Sequence, residues 1–461
     1  MNVLNPAAAL RLRQLALLPH YDTRAPRYTS YPTAVQFTPH IGPQQQGEWL
    51  EALALDAPVS IYAHIPFCAR LCWYCGCNTR VVHRGESIRD YVVLLRDEIG
   101  MVARRLPGRA RVGSIHLGGG TPNMLTPDDL SVLFGTLRED FDVEDAAEIA
   151  AELDPAQLTA EWARAAAGHG LNRASLGVQD LSPAVQAAVN RHEPFEVVAG
   201  AAAMLRAAGV SALNFDLMYG LPRQTIADVL NTLDQVLTLK PSRIALFGYA
   251  HVPWMKSHQK LLDEAELPDG AERLEQSQIA AERLASEGYV EVGIDHFARP
   301  DDSMAVALKA RTLHRNFQGY TTDQAGALLG FGASAISRLP QGLVQNQPSE
   351  LLWRAAISEG RLATARGVEL TDEDRFRGEV IERLMCDLEV DLDAVAARHH
   401  RRAGELAGAV AGLAPLEADG VVERHGQMVR ITELGRPFVR TACAQFDAYL
   451  DSAALRHSRV V

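Results

Sequence analysis

Four cysteines fall within ten residues: Cys68, Cys72, Cys75 and Cys77. Thiolates are soft ligands that suit iron–sulfur clusters and zinc. Neighbours this close rarely reach disulfide geometry, so the run reads as metal binding. Structural zinc usually takes its ligands from two separated pairs. Here the other two cysteines, Cys386 and Cys443, stand alone in helical patterns and read as core residues. Three thiolates at C-x3-C-x2-C spacing can wrap one face of a four-iron cube and leave the fourth iron open to an outside ligand. An iron–sulfur cluster is the expectation, and a zinc loop the alternative.

Other residues with chemical potential recur just after short apolar runs. The cysteines follow the run at 59–64, and Gly118-Gly119-Gly120-Thr121 follows 112–117. Glu152 and Asp154 close 148–153, Gln179 follows 174–178, and Asp216 closes 212–217. A sixth run lies at 243–247. Helical patterns fill the intervals near 87–105, 126–139, 157–169, 195–208 and 224–239. This alternation predicts parallel strands joined by right-handed crossovers, whose C-terminal edges are where ligands gather.

The elements that must hold these residues predict an α/β fold: a partial (β/α)6 barrel over 51–345, preceded by an extended arm over 1–50. A helix at 271–287, a strand near 290–297 and a further strand or turn at 328–336 complete the barrel region. Residues 346–461 predict a mostly helical, lid-like domain, with helices at 349–360, 372–387, 391–398 and 402–413. A winged-helix-like hairpin at 421–432 turns at His425-Gly426, and a final helix lies near 436–455.

Composition excludes several classes. Of 461 residues, 47% are apolar and 22% charged, which rules out disorder as the main state. A net charge of −12 argues against nucleic acid as a partner. The longest uncharged apolar stretch, 244–255, contains Gly248, His251 and Pro253 and is too short to span a bilayer. Arg11 and Arg13 interrupt what a signal peptide would need as an apolar core. The expectation is a cytoplasmic protein with no membrane partner.

The cysteine loop after the first strand resembles the radical S-adenosylmethionine (SAM) superfamily. Tyr62-Ala63-His64-Ile65-Pro66-Phe67-Cys68 through Cys72-Trp73-Tyr74-Cys75-Gly76-Cys77-Asn78 resembles the oxygen-independent coproporphyrinogen III oxidase family in particular. So do Pro26 to Thr33, Gly118 to Pro122, Gly177-Val178-Gln179-Asp180, the segment Asp216 to Pro222, the segment Asp295 to Asp302, and His314-Arg315-Asn316-Phe317-Gln318-Gly319-Tyr320. The likeness runs from about residue 26 to the terminal Ser458-Arg459-Val460-Val461. Tyr74 stands where the family often has Phe, and Trp73 where it has Tyr or Phe; both keep an aromatic face.

The resemblance implies a [4Fe-4S] cluster on Cys68, Cys72 and Cys75, and two molecules of SAM. One SAM would meet Tyr62, Gly119, Gly120, Glu152 and Ile336. The second would meet Tyr74, Gly120, Thr121, Gln179, Arg191, Asp216 and Ala250. Tyr62 and Cys77 are the catalytic candidates, the latter an extra cysteine outside the cluster ligands. Arg27, Arg299 and Arg315 are candidates for the substrate's carboxylates; His64, His296 and His314 read equally as structural or catalytic. The implied activity is decarboxylation of two propionates of coproporphyrinogen III to vinyl groups, giving protoporphyrinogen IX in haem biosynthesis. An electron donor such as flavodoxin or ferredoxin, an unnamed electron acceptor and a monomeric state go with it. The alternatives are a radical SAM haem chaperone and another radical SAM enzyme acting on a tetrapyrrole.

Overall fold

Along each central strand, one set of alternate residues is apolar and the other polar or small. The computed structural model, which describes residues 6–82 and 85–450, shows what this period of two does. The six expected strands form: β1 (Val59–Ile65), β2 (Arg111–Gly119), β3 (Asp142–Leu153), β4 (Arg173–Gln179), β5 (Ala212–Tyr219) and β6 (Arg243–Gly248). Helices α2 (Gly85–Ala103), α3 (Pro127–Asp140), α4 (Ala160–Gly168), α5 (Phe195–Ala207) and α6 (Ile226–Thr238) lie between them, after α1 (Pro6–Tyr21) at the start of the chain. Ile115, Leu117, Ile149, Leu176, Leu213, Phe215 and Ile244 are buried in one core with helix residues such as Leu95, Leu133, Val198 and Leu233.

The alternate positions on these strands face the other way. His116, Glu148, Glu152, Arg173, Ser175, Asn214, Asp216 and Arg243 line an internal cavity of about 170 Å³. Instead of the packed apolar interior of a closed eight-stranded barrel, the sheet encloses a polar lumen. Register aligns its layers: Glu152 pairs with Ser175, Ser175 with Asn214, and Gly177 with Asp216.

The sheet is larger than six strands. Beyond β6 lie β7 (Val290–Val292) and β8 (His296–Ala298), a hairpin whose second strand runs antiparallel to β6. On the other side β9 (Leu328–Phe331) pairs with β1 in parallel, followed by antiparallel β10 (Ile336–Leu339), β11 (Gly342–Asn346) and β12 (Thr364–Glu369). The order across the twelve strands is β12-β11-β10-β9-β1-β2-β3-β4-β5-β6-β8-β7, so the two ends do not meet.

Four expectations are corrected. The first 50 residues are not simply an extended arm: α1 occupies Pro6–Tyr21 and a second helix Pro43–Glu51. The stretch between them straps onto β12, where Thr38 and Gly367 exchange backbone hydrogen bonds at 2.8 and 2.9 Å. The sheet also runs to Glu369, past the expected boundary at 345, because β12 continues it antiparallel to β11. The strand near 290–297 is two short strands turning at Gly293, whose positive φ of 61° suits glycine. The final helix is shorter than expected: a 3-10 turn over Arg436–Phe438 leads into a helix at Val439–Ala444, and 451–461, with the Ser458–Val461 motif, lie outside the described residues.

Past the sheet come α7 (Gly270–Ser286) in the barrel region and α8 (Asp372–Asp387) in the C-terminal domain. Thr371 opens α8 with a reciprocal cap to Asp374. The expected hairpin forms as β14 (Val422–His425) and β15 (Met428–Ile431), joined by β13 (Glu389–Asp391) in a three-stranded sheet. α9 (Val439–Ala444) packs on α8 and closes a second core, which also takes in Leu18, Tyr21, Ala25 and Tyr28 from the start of the chain and Leu274 of α7. Among the described residues, no helix is long and apolar enough to cross a membrane.

Candidate active site

The cysteine loop leaves β1 at the C-terminal edge of the parallel strands. Cys72 is buried, Cys68 and Cys75 half-buried, and Cys77 exposed. Each of the three expected ligands receives a donor. Thr121 Oγ1 donates to Cys68 Sγ at 3.5 Å, Arg191 Nη1 to Cys72 Sγ at 3.5 Å, and the Cys77 amide to Cys75 Sγ at 3.4 Å. Hydrogen bonds aimed at sulfur are how proteins stabilise and tune ligating thiolates, so this donor set fits a cluster. Among the described residues no group of three or more His, Cys, Asp or Glu side chains converges as a site for a single metal ion. A four-iron cube asks for one thiolate at each of three separate corners.

Segment 256–259 holds the loop from outside. Lys256 Nζ donates to Cys77 O at 2.8 Å, His258 Nε2 to Cys75 O at 2.7 Å, and Gln259 Nε2 to Tyr74 O at 3.0 Å. Gln259 also reaches Ala250 O at 3.3 Å, which ties Ala250, just beyond β6, to Tyr74 on the loop.

The three glycines are needed for packing. A Cβ on Gly118 would lie 2.9 Å from the Glu152 carboxylate, and one on Gly119 would lie 2.4 Å from the His64 ring. On Gly120 it would strike backbone oxygens of Ile65 and Phe67 at 2.8 and 2.7 Å. Gly119 also has a φ of 109°, which a side chain would strain. At these three Cβ positions the space is taken by the loop and its neighbours.

Glu152 accepts from His116 Nε2 at 3.1 Å and from the Gly119 amide at 3.1 Å. Burial pushes its pKa up, but His116 and that amide outweigh it and hold the carboxyl below its ordinary value. An ionised acceptor therefore stands at the mouth of the lumen. Tyr62 stacks on His116 with ring centroids 5.9 Å apart, and its hydroxyl lies 3.0 Å from His64 Nδ1. His64 Nε2 donates to Asn78 O at 2.9 Å, and burial lowers its pKa. The ring is thus neutral and accepts from Tyr62. His64 positions the end of the cysteine loop.

Arg191 is already engaged. Its Nη2 donates to Glu193 at 3.0 Å and to the Gly177 carbonyl, and lies 3.9 Å from Asp154. Its Nη1 reaches Tyr74 Oη at 3.4 Å besides Cys72. Glu193, fully buried, also pairs with Arg70 of the cysteine loop. Two arginines and two acids thus clamp the loop to β3 and β4. Asp216 accepts from Ser175 at 2.6 Å and Asn214 at 2.8 Å, and burial raises its pKa to about 6. Gln179 ends β4 with a φ of 68°, turning the chain toward Arg191. Ile336 starts β10 against Gly330, which has no room for a side chain.

The substrate candidates part company. Arg27 and Arg315 both face Asp295. Arg299 does not: its amide bonds Ser242 O, before β6 begins, and its half-exposed side chain pairs with Asp301. It therefore sits at the opposite edge of the sheet from the cysteines, because β8 runs antiparallel and carries the chain downward. His296 pairs with Asp295 at 2.6 Å and His314 with Glu382 at 3.2 Å. Sequence reasoning missed Ser175, Asn214 and His116; their signal was a polar residue at every second position of an otherwise apolar strand.

Two family models match the chain: the radical SAM superfamily over residues 62–236 and the HemN C-terminal domain over 370–438. The oxygen-independent coproporphyrinogen III oxidase of Bradyrhizobium diazoefficiens is 48% identical over 95% of this chain and 98% of its own. That of Paracoccus denitrificans is 42% identical over 97% and 99%. The solved structure of the Escherichia coli coproporphyrinogen III oxidase, described as a radical SAM enzyme, superposes with a TM-score of 0.89 at 37% identity, covering 95% of this chain and 99% of that one. With the cysteine loop, the polar lumen and the C-terminal domain in place, the chain belongs to the oxygen-independent coproporphyrinogen III oxidase family of radical SAM enzymes.

Proposed function

We propose that this chain converts coproporphyrinogen III to protoporphyrinogen IX without oxygen. The observation that carries the reading is a loop of three cysteines, each sulfur met by a protein donor, at the mouth of a polar lumen. Cys68, Cys72 and Cys75 would hold a [4Fe-4S] cluster. When bound, the cluster and SAM supply an electron and a 5′-deoxyadenosyl radical that abstracts hydrogen.

The chain's own residues bind, orient and exclude water. Glu152, kept ionised, accepts from ribose hydroxyls, beside Tyr62, Gly119, Gly120 and Ile336. A second SAM is assigned to Tyr74, Gly120, Thr121, Gln179, Arg191, Asp216 and Ala250. Arg191 there acts mainly through the loop it clamps, since both its terminal nitrogens already have partners. Exposed Cys77 lies beside Cys75 and is a candidate for handling a proton or electron. Each turnover removes one hydrogen atom and one CO2 from a propionate and leaves a vinyl group. The remaining electron goes to an acceptor outside the chain, and a small redox protein such as flavodoxin or ferredoxin is the assigned donor. The working form is assigned as a cytoplasmic monomer.

The test is an anaerobic assay with coproporphyrinogen III, SAM and reductant. Protoporphyrinogen IX, methionine and 5′-deoxyadenosine should rise together, with two CO2 per substrate. Cys68→Ala should lose both cluster absorbance and all three products. Turnover in Cys68→Ala, or SAM cleavage in the parent without loss of CO2, defeats the reading.

A further inference from the structure

A second and larger cavity, of about 740 Å³, lies beside the cysteine loop, between α1, the mouth ends of β5 and β6, α7 and the start of α9. Its size falls within the range of about 300–1,000 Å³ typical of small-molecule sites. Ala250 lines it, and one side chain, Gln259, joins Ala250 to Tyr74 of the cysteine loop. Leu10, Trp254, Leu274, Ile294 and Phe297 give it apolar walls.

Three arginines from three separate elements enter these walls. Arg27 exposes its guanidinium to the cavity and donates to Gly248 O at 2.8 Å. Arg440, buried at α9, donates to Ala25 O at 3.1 Å. Arg273 reaches from α7 over the Tyr219 ring, 5.9 Å from its centroid. It fits because a glycine follows β5 and another ends β6: a Cβ on Gly220 would come within 3.0 Å of its Nη1, and one on Gly248 within 3.3 Å of its Nη2. Its Nε has no hydrogen-bond partner.

The carboxylates nearby do not balance these cations. Asp295 is held by His296 and shared among Arg315, Arg27 and Arg440. Glu282 pairs with Arg11 at 3.7 Å and Glu291 with Arg436 at 2.9 Å, with Glu433 beside Glu291. Asp269 caps its own helix. The like charges press on one another: burial, then Arg27 and Arg315, push the Arg440 pKa down to about 9. Gathered cations in an apolar setting call for anions, and the guanidinium fork matches carboxylates. Forks from separate elements around apolar walls suit several carboxylates carried on one apolar body.

We infer that Arg27, Arg273 and Arg440 form a cage for the peripheral carboxylates of an amphiphilic polycarboxylate, whose body lies against the apolar walls. Resting on the function proposed above, that ligand is the tetrapyrrole substrate.

The test uses full-length, anaerobically reconstituted protein and coproporphyrin III, the fluorescent aromatic tetracarboxylate, with its tetramethyl ester as the uncharged comparison. The parent should bind the acid far more tightly than the ester. Arg273→Gln and Arg27→Gln should weaken binding of the acid by roughly 10- to 100-fold each, as expected for losing a charged hydrogen bond, and raise KM for the substrate more than they lower kcat. Arg273→Lys, which keeps the charge but loses the fork, should fall between. Arg299→Gln, at the opposite edge of the sheet, should match the parent. Cluster absorbance and the SAM-induced change in its electron paramagnetic resonance spectrum check that each variant is folded. Equal binding of acid and ester, or unchanged binding by both Arg→Gln variants, overturns the cage. If the parent turns over coproporphyrinogen III while the variants bind as the parent does, the cage falls and the function stands. If the variants lose binding but the parent makes no protoporphyrinogen, the function falls and the cage stands.

Discussion

Arg191 shows how one side chain serves a thiol and a buried acid together. Its guanidinium meets Cys72 on one side and Glu193 on the other. The sequence displayed the cation but not this partner. Glu193 is only two residues on, and Gln186 fixes the segment that pairs them: its side chain bonds the Glu193 amide and carbonyl at 3.0 and 2.6 Å, and its carbonyl accepts from the Arg191 amide at 2.9 Å. Arg191→Ala leaves Glu193 buried with only Arg70 against its charge. Breaking a buried pair in this way costs about 3–5 kcal/mol. We therefore expect a lowered denaturation midpoint together with reduced cluster content, read by urea unfolding and by iron and sulfide analysis. Normal stability with selective loss of SAM binding would instead mark Arg191 as a ligand clamp. The cysteines expected to be ligands stand out by spacing alone, because a loop of soft donors needs no tertiary context to be noticed.

At the scale of elements, the loop after β9 depends on a single acid. Glu98 of α2 is buried and accepts from the Gly332 amide at 2.6 Å and from Asn346 Nδ2 at 2.7 Å. Burial raises its pKa from 4.5 to about 7, against those hydrogen bonds. The folded protein thus holds this proton more tightly than the unfolded chain. The contribution is complete below about pH 4.5 and drains away as pH rises through about 7. The loss is roughly 3 kcal/mol, at about 1.4 kcal/mol per pH unit. Glu98→Gln should flatten the stability–pH curve across that window, measured by denaturant titration at several pH values; an unchanged slope would contradict the assignment. The same region shows where sequence reading stops. A strand near 328 could be seen, but not that it would pair in parallel with β1. That choice depends on Gly330 and Gly332, which have no room for side chains beside Ile336 and His64.

For the whole molecule, α1 was the main surprise. It begins without an acidic first turn and carries Pro19 within it, so local signals are weak, and tertiary contacts decide. Gln14 Nε2 donates to Glu433 O at 2.9 Å, and Tyr21 packs on Phe438 with ring centroids 5.6 Å apart. α1 also lies along α7. It is therefore a brace between the barrel and the C-terminal domain. Removal of residues 1–21 should leave the sheet folded while loosening α9, so that limited proteolysis cuts first at 370–371, between β12 and α8. Unchanged cleavage kinetics would show that α1 only decorates the surface. The barrel boundary was misplaced for a related reason: β12 joins the sheet from the far side of a helix, Glu350–Ser358.

Cys68, Cys72 and Cys75 belong to none of the hydrophobic clusters; of their loop, Trp73 and Tyr74 pack against one. While the Arg191–Glu193 clamp stays intact, fold and cofactor can therefore fail separately. Air can bleach it, stripping iron and oxidising the thiols from exposed Cys77 inward, while circular dichroism and elution volume stay those of fresh material. Shelf life in a glove box and melting temperature will not correlate, and colour, not solubility, is the proper gauge of a good batch.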